Sequence, residues 1–303
     1  MFGALRSGTT LLRLMLKHHS GIHAAGEADC LFDHLQPDAD APGGWTLEPA
    51  ALAEDWTLAM LDVTLPQDET GGDLVHAVFD LIHDQAPGKI ATVSVHRNAE
   101  TILALYPKAK FIHLLRDPRD SARSAVGMGW DGNSYHGVRH WLDTEESWDL
   151  AGVPEAQVLP LRFEDLMQDL EKNLGDICAF LDLEFDAGML EYHRNSSYGP
   201  PDPSISQKWR EQASPREIAR IEGRLGSRLQ ARGYHPVGTP VTPGPIEAAW
   251  LKINNTFNRW KYNIRRYGPG LFVGHHLARA LHLKPLADRL AARQLDIKIQ
   301  GLK

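Results

Sequence analysis

Residues 3–10, GALRSGTT, constrain the fold more than any other stretch of the 303-residue chain. Gly3 and Gly8 have the spacing of a nucleotide-phosphate loop, but Thr9 stands where that pattern has its lysine. Arg6 lies inside the loop instead. The apolar run at 11–16 follows directly, so the loop opens a helix. Backbone N–H groups at a helix start bind anions without side chains, and two glycines let the chain curl tightly. Ser7, Thr9 and Thr10 add hydroxyl donors. The stretch suits a phosphate, but not the usual magnesium–nucleotide chemistry.

A second anion motif lies downstream. Residues 110–115, KFIHLL, are a short strand-type run that leads into RDPRDSARS at 116–124. Asp117 can cap a helix beginning at Pro118. Arg116 then stands at the carboxyl end of a strand, where open α/β sheets bind ligands. Ser124 lies about two turns along that helix. Arg116 and Ser124 together can grip one phosphate.

RSGTTLL followed by LLRDPRDSARS, each at a strand-to-helix junction, resembles the sulfotransferases that use 3′-phosphoadenosine 5′-phosphosulfate (PAPS). The resemblance covers about residues 1–235. It implies that Arg6, Ser7, Gly8, Thr9 and Thr10 hold the 5′-phosphosulfate and that Arg116 and Ser124 hold the 3′-phosphate. It further implies PAPS as co-substrate, a hydroxyl-bearing acceptor and no metal, since a sulfonate carries less charge than a phosphoryl group. Asp117 is the nearest candidate metal holder and reads better as a helix cap.

Two residues compete as the base that takes the acceptor's proton. Glu27, expected on the loop after the first helix, lies in RSGTTLLRLMLKHHSGIHAAGE, which resembles the tyrosylprotein branch of the family, where a Glu in a GE sequence is the base. His96 follows the strand candidate at 91–95, and cytosolic members use a His after a comparable strand. Arg6, or Arg97 beside His96, would stabilise charge on the bridging oxygen. Lys208, in SISQKWREQ, reads either as a phosphate ligand or as a surface lysine beside a packed Trp209. Phe163 stands where family members often carry Tyr and reads as a core aromatic. GWDGNSYHGVRHW at 129–141 reads as an acceptor-pocket wall or an ordinary loop.

Strand candidates at 91–95, 111–115 and 158–161 alternate with helical stretches at about 8–18, 50–61, 71–85, 98–105, 118–127, 137–150, 170–182 and 214–232. This predicts an α/β fold, a P-loop-type parallel sheet flanked by helices. Few residues precede the loop, so the first strand is expected to be very short. Residues 1–249 hold 21 Lys/Arg against 37 Asp/Glu, whereas 250–303 hold 11 against 2. The border falls in a Pro- and Gly-rich stretch. The expected organisation is a sulfotransferase domain at 1–235, a linker at 236–249 and a basic helical C-terminal extension at 250–303, broken at Pro285.

That tail suits docking on the acidic body, self-association or a peripheral contact with an anionic membrane; nucleic acid is not the expected partner. Two cysteines without metal-ligand spacing point to a reducing compartment, hence a cytoplasmic location with membrane association as the variant. No apolar run is long enough for a membrane span, and no signal peptide is visible. The competing function classes are a nucleotide kinase or NTPase with a degenerate phosphate loop, and a non-catalytic membrane- or partner-binding module.

Overall fold

Four short runs form parallel strands: β1 (Ile22–Glu27), β2 (Ile90–Ser94), β3 (Phe111–Leu115) and β4 (Val158–Arg162). The computed structural model describes residues 1–196, 198–200 and 202–300. β1 pairs with β2, and β3 with β4. Residues 1–3 run between the two pairs. Phe2 bridges Val95 on one side and His113 on the other, both in parallel. Its N–H donates to Ile112 O at 2.9 Å and its carbonyl accepts from Leu114 N–H at 2.7 Å. On the other side Gly3 N–H donates to Val95 O at 3.2 Å, and Val95 N–H to Met1 O at 2.9 Å. The very short first strand is therefore the middle of the sheet.

The helices that accompany these strands include α1 (Thr9–Lys17), α2 (Asp29–Asp33), α3 (Gly71–Asp84), α4 (Ala99–Leu105), α5 (Pro118–Gly127), α6 (Arg139–Ala151), α7 (Phe163–Gln168) and α8 (Leu170–Phe180). Successive strand residues point to opposite faces. Ile112 and Leu114 enter a buried cluster with Leu12 and Leu16 of α1 and Ile177 of α8. Phe111 enters the other cluster, with Leu31 of α2, Leu74 and Val78 of α3 and Ile102 of α4. The α/β sheet flanked by helices is the fold expected.

Three expectations need correction. β1, IHAAGE, did not stand out because two Ala and a Gly carry little strand propensity. The expected helix at 214–232 is two, α9 (Pro215–Leu225) and a short Ser227–Ala231, because Gly226 takes φ 56° between them. The break expected at Pro285 falls just before it, between Ala280 and Lys284, and Pro285 lies in the first turn of the last helix, where the missing N–H costs nothing.

The chain forms two compact units: Met1–Ser121 with His140–Glu211, and Ala122–Arg139 with Gln212–Lys303. These do not follow the expected 1–235, 236–249 and 250–303 division; residues 301–303 lie outside the described ones. The second unit contains α9, α10 (Pro245–Tyr267), α11 (Pro269–Ala280) and α12 (Lys284–Gln300). α10 begins inside the stretch read as linker. It holds the 129–138 loop, because Asn255 Oδ1 accepts Gly132 N–H at 2.6 Å and Asn133 N–H at 3.2 Å. Asn258 Nδ2 also donates to Gly132 O at 2.9 Å. A polar residue whose partner lies more than a hundred positions away leaves no periodic trace in the sequence. No described helix is long and apolar enough to cross a membrane. Both cysteines are free and buried.

The central strand has no room for a side chain at Gly3, where a Cβ would lie 2.5 Å from Leu114 O. Gly3→Ala should therefore cost about 1–3 kcal/mol of stability, as overpacking typically does. Urea unfolding checks this, and an unchanged midpoint would show that the strand has room to shift.

Candidate active site

Parallel strands deliver their carboxyl ends to one edge, and the sequence-predicted residues of the first unit gather there. The 3–10 loop leaves the central strand with Arg6 at φ 72° and Gly8 at φ 97°. Ser7 N–H donates to Ala4 O at 3.0 Å and closes the turn. A Cβ on Gly8 would lie 2.4 Å from Phe163 Cδ2, so the ring that reads as a core aromatic packs directly on the loop. Phe163 is buried. Helix geometry leaves the first-turn N–H groups of α1 without intrahelical acceptors. Ser7 Oγ is buried with no hydrogen-bond partner among the described residues. Thr10 is half-buried at the same helix start.

Arg116 follows β3. Its Nη1 donates to Arg6 O at 3.0 Å and its Nη2 to Ile205 O at 3.1 Å. Its guanidinium carbon lies 4.6 Å from the Phe163 ring centroid. The Nε is buried without a partner. Burial lowers the Arg116 pKa, opposed by the charges of Asp120 and Glu164. Ser124, half-buried in the second turn of α5, falls in the other compact unit and remains the expectation drawn from sequence.

Asp117 is the helix cap expected. Its Oδ1 accepts Arg119 N–H at 3.0 Å, while Oδ2 accepts the Arg119 guanidinium at 2.7 Å and Trp209 Nε1–H at 3.0 Å. Both oxygens are thus engaged. Trp209 is buried, and its own N–H donates to Asp120 Oδ1 at 2.9 Å. The SISQKWREQ segment is anchored on the RDP motif by this tryptophan. The exposed side chain of neighbouring Lys208 makes no hydrogen bond or ion pair among the described residues.

Glu27 ends β1 rather than lying in a loop. The β1–β2 register shifts between Ala24 and Glu27, leaving Glu27 opposite Ser94. The preceding Gly26 is required, because a Cβ there would lie 2.0 Å from Met60 O. His96 follows β2, and β1 and β2 are neighbours, so the two candidate bases come together. The ligating atoms of Glu27, Asp29 and His96 all lie within 4.8 Å of one another. The Glu27 carboxylate makes no hydrogen bond or ion pair among the described residues, and the residue is half-buried.

His96 is buried and held at several points. Its Nδ1 is 2.5 Å from Asp29 Oδ2, and its backbone N–H donates to Asp29 Oδ1 at 2.8 Å. Thr144 Oγ1 donates to its carbonyl at 2.8 Å. Its Nε2 lies 3.4 Å from Thr9 Oγ1 in the phosphate loop. Burial on its own would raise the Asp29 pKa, but hydrogen bonds and charge from His96, with the charge of Arg97, hold it below the ordinary 3.8. An ionised Asp29 accepts only, so Nδ1 carries a proton toward it, and Nε2 faces the Thr9 hydroxyl. These three side chains could share a cation, but both Asp29 oxygens already serve His96. Arg97 donates from Nε to Asp33 Oδ1 at 2.6 Å, and its Nη2 pairs with Asp33 Oδ2.

The sequence reading missed Asp29 and Asp33. The only available signal was Asp29 two residues after Glu27 in GEADC, and its partner is 67 positions away.

The glycine-spaced loop, an arginine reaching it from the next strand, and a carboxylate and imidazole on the same edge make up the candidate site. The sulfotransferase family matches residues 1–187, more than half of the chain, and the chain belongs to that family. It is similar to a protein-tyrosine sulfotransferase of Drosophila melanogaster, 21% identical over 283 residues. That match covers 84% of this chain and 54% of the relative, so the chain spans about half the relative's length. Among solved structures it resembles the sulfotransferase domain from the curacin biosynthetic pathway, with TM-score 0.54 and 20% identity over 74% of this chain and 95% of that one. It also resembles the sulfotransferase domain from the Synechococcus PCC 7002 olefin synthase, with TM-score 0.54 and 23% identity over 73% and 91%. At these identities the two structures speak for the fold.

A depressed Asp29 pKa has a definite sign. Its contribution to stability is complete above the ordinary value of 3.8 and is lost as pH falls through the lower folded value. Asp29→Asn should therefore melt below the wild type at neutral pH, with the gap closing under acid. Melting temperatures across the acid range check this, and a gap independent of pH would place the defect in packing.

Proposed function

We propose that this chain transfers the sulfuryl group of PAPS to a hydroxyl acceptor. The observation that carries the reading is the pairing of an unpartnered buried Ser7 Oγ in the loop with an unpartnered Glu27 carboxylate on the same sheet edge. The residues fit the group: donors without acceptors line an anion-shaped turn, and Arg116 adds a buried guanidinium with Nε unused. When bound, PAPS supplies an electrophilic sulfur and a phosphate leaving group. The loop N–H groups, the hydroxyls of Ser7, Thr9 and Thr10, and Arg6 would hold its 5′ end and stabilise developing charge. Arg116 would hold the 3′-phosphate.

Glu27 would accept the acceptor's proton. It is favoured over His96 because both ring nitrogens of His96 are engaged, by Asp29 and by Thr9. His96 then orients Thr9 in the loop. A peptide tyrosine heads the acceptor panel, in line with the name of the Drosophila relative.

Calorimetry in EDTA should show binding of 3′-phosphoadenosine 5′-phosphate, the spent cofactor. Tighter binding of magnesium ATP would transfer the chain to the phosphoryl-transfer reading. A charge-assisted hydrogen bond contributes roughly 1.5–3 kcal/mol, so Arg116→Ala should weaken this ligand about tenfold or more. A nucleotide lacking the 3′-phosphate should be little affected. An equal loss for both would mean that Arg116 acts through Arg6 and the loop instead.

With an acceptor found by screening with sulfur-labelled PAPS, Glu27→Gln should lower turnover about 10²–10⁴-fold at nearly constant cofactor affinity. An inactive His96→Asn beside a normal Glu27→Gln would pass the base to His96.

A further inference from the structure

α10 is amphipathic in the inverted sense. Ile246, Trp250, Ile253, Phe257, Trp260 and Ile264 recur at three- and four-residue intervals, which places them in one stripe. Its first part faces solvent, with Ile246 89% exposed, Ile253 70% and Phe257 65%, while Trp260 also meets Phe272 and His276 of α11 and Ile264 is half-buried. The face turned into the second unit carries buried Leu251 and Asn255, with Asn258 and Tyr262 against Gly132 and Gly129. The fold thus attaches this helix largely through asparagine hydrogen bonds and leaves its aromatic and aliphatic residues outward. A shallow groove of about 760 Å³ runs along the stripe, and Lys252, Lys261 and Arg265 line it with the apolar side chains.

Charge identifies the occupant. Residues 250–303 hold 11 Lys/Arg against 2 Asp/Glu. The one acidic residue of α10, Glu247, is paired with Arg216 and Arg220. A second copy meeting this face would oppose like charges along it. An anionic lipid surface instead answers both features: headgroups meet the flanking cations, and the stripe enters the headgroup–acyl boundary, where Trp is at home. The helix is not apolar enough to cross.

We infer that α10 is an interfacial anchor that lays the Ile246–Ile264 stripe into an anionic lipid surface. This is independent of the chemistry at the sheet edge.

The test is co-sedimentation of the full chain with two kinds of vesicle, phosphatidylcholine alone and phosphatidylcholine mixed with phosphatidylglycerol. Binding is expected to the mixed vesicles and to fall with added salt. The double substitution Ile253→Gln, Phe257→Gln should weaken it about tenfold or more, because it removes exposed apolar area while leaving the buried face of α10 intact. Lys252→Glu with Lys261→Glu should weaken it through charge alone. Both variants should keep the wild-type melting temperature, since all four side chains are exposed.

No binding to either vesicle would overturn the proposal, as would binding unchanged by both pairs of substitutions. A dimer in solution that the Gln pair dissolves, without any vesicle binding, would assign the stripe to a second copy instead.

Discussion

The backbone ladder of Phe2 is the interaction on which the first unit depends. Two parallel pairs, β1–β2 and β3–β4, have no hydrogen-bonded neighbour in common except residues 1–3. Bonds from Met1, Phe2 and Gly3 to Val95 on one side and to Ile112 and Leu114 on the other make one sheet of two. Because the ladder is parallel, it also aligns the carboxyl ends of all the strands. The loop after Gly3, Glu27 at the end of β1, His96 after β2 and Arg116 after β3 reach one edge for that single reason. Gly3 permits the close approach, since its missing Cβ is replaced in space by Leu114 O.

On that edge the protein spends buried polar groups selectively. Asp117, Arg119 and Trp209 form a linked network beneath the second motif, and Asp120 Oδ1 joins it by accepting Trp209 N–H. Asp29 and Thr144 hold His96 in one orientation. Ser7 Oγ, Arg116 Nε and the Glu27 carboxylate have no partner among the described residues, and neither do Asp120 Oδ2, Ser94 Oγ and Ser121 Oγ near them, although buried polar groups are ordinarily paired. Open donors of this kind suit a site that receives charge.

The second unit follows a different logic. Its helix α10 is secured by Asn255 and Asn258 and turns its aromatic stripe outward. Hydrophobic burial therefore does not explain where that helix sits. The hydrogen bonds to Gly132 and Asn133 do, and Gly132 is needed because a Cβ would meet Asn255 O at 2.1 Å.

The local sequence determined the pieces whose cause is local. Glycine spacing and the following apolar run specified the 3–10 loop and α1; Asp117 before Pro118 specified a capped helix; the runs at 111–115 and 158–161 specified strands. It also carried His96 and Arg116 as candidates, since each follows a strand-like run, and Glu27 through the GE resemblance. Only the tertiary structure decided what depends on distant partners. It placed residues 1–3 at the sheet centre, made IHAAGE a strand by pairing it with β2, and gave Asp29 to His96. It also joined the 129–138 loop to α10 and left the Ile246–Ile264 stripe facing outward. Backbone pairing and buried hydrogen bonds carry no periodicity in sequence, so their partners become known only when the chain has folded.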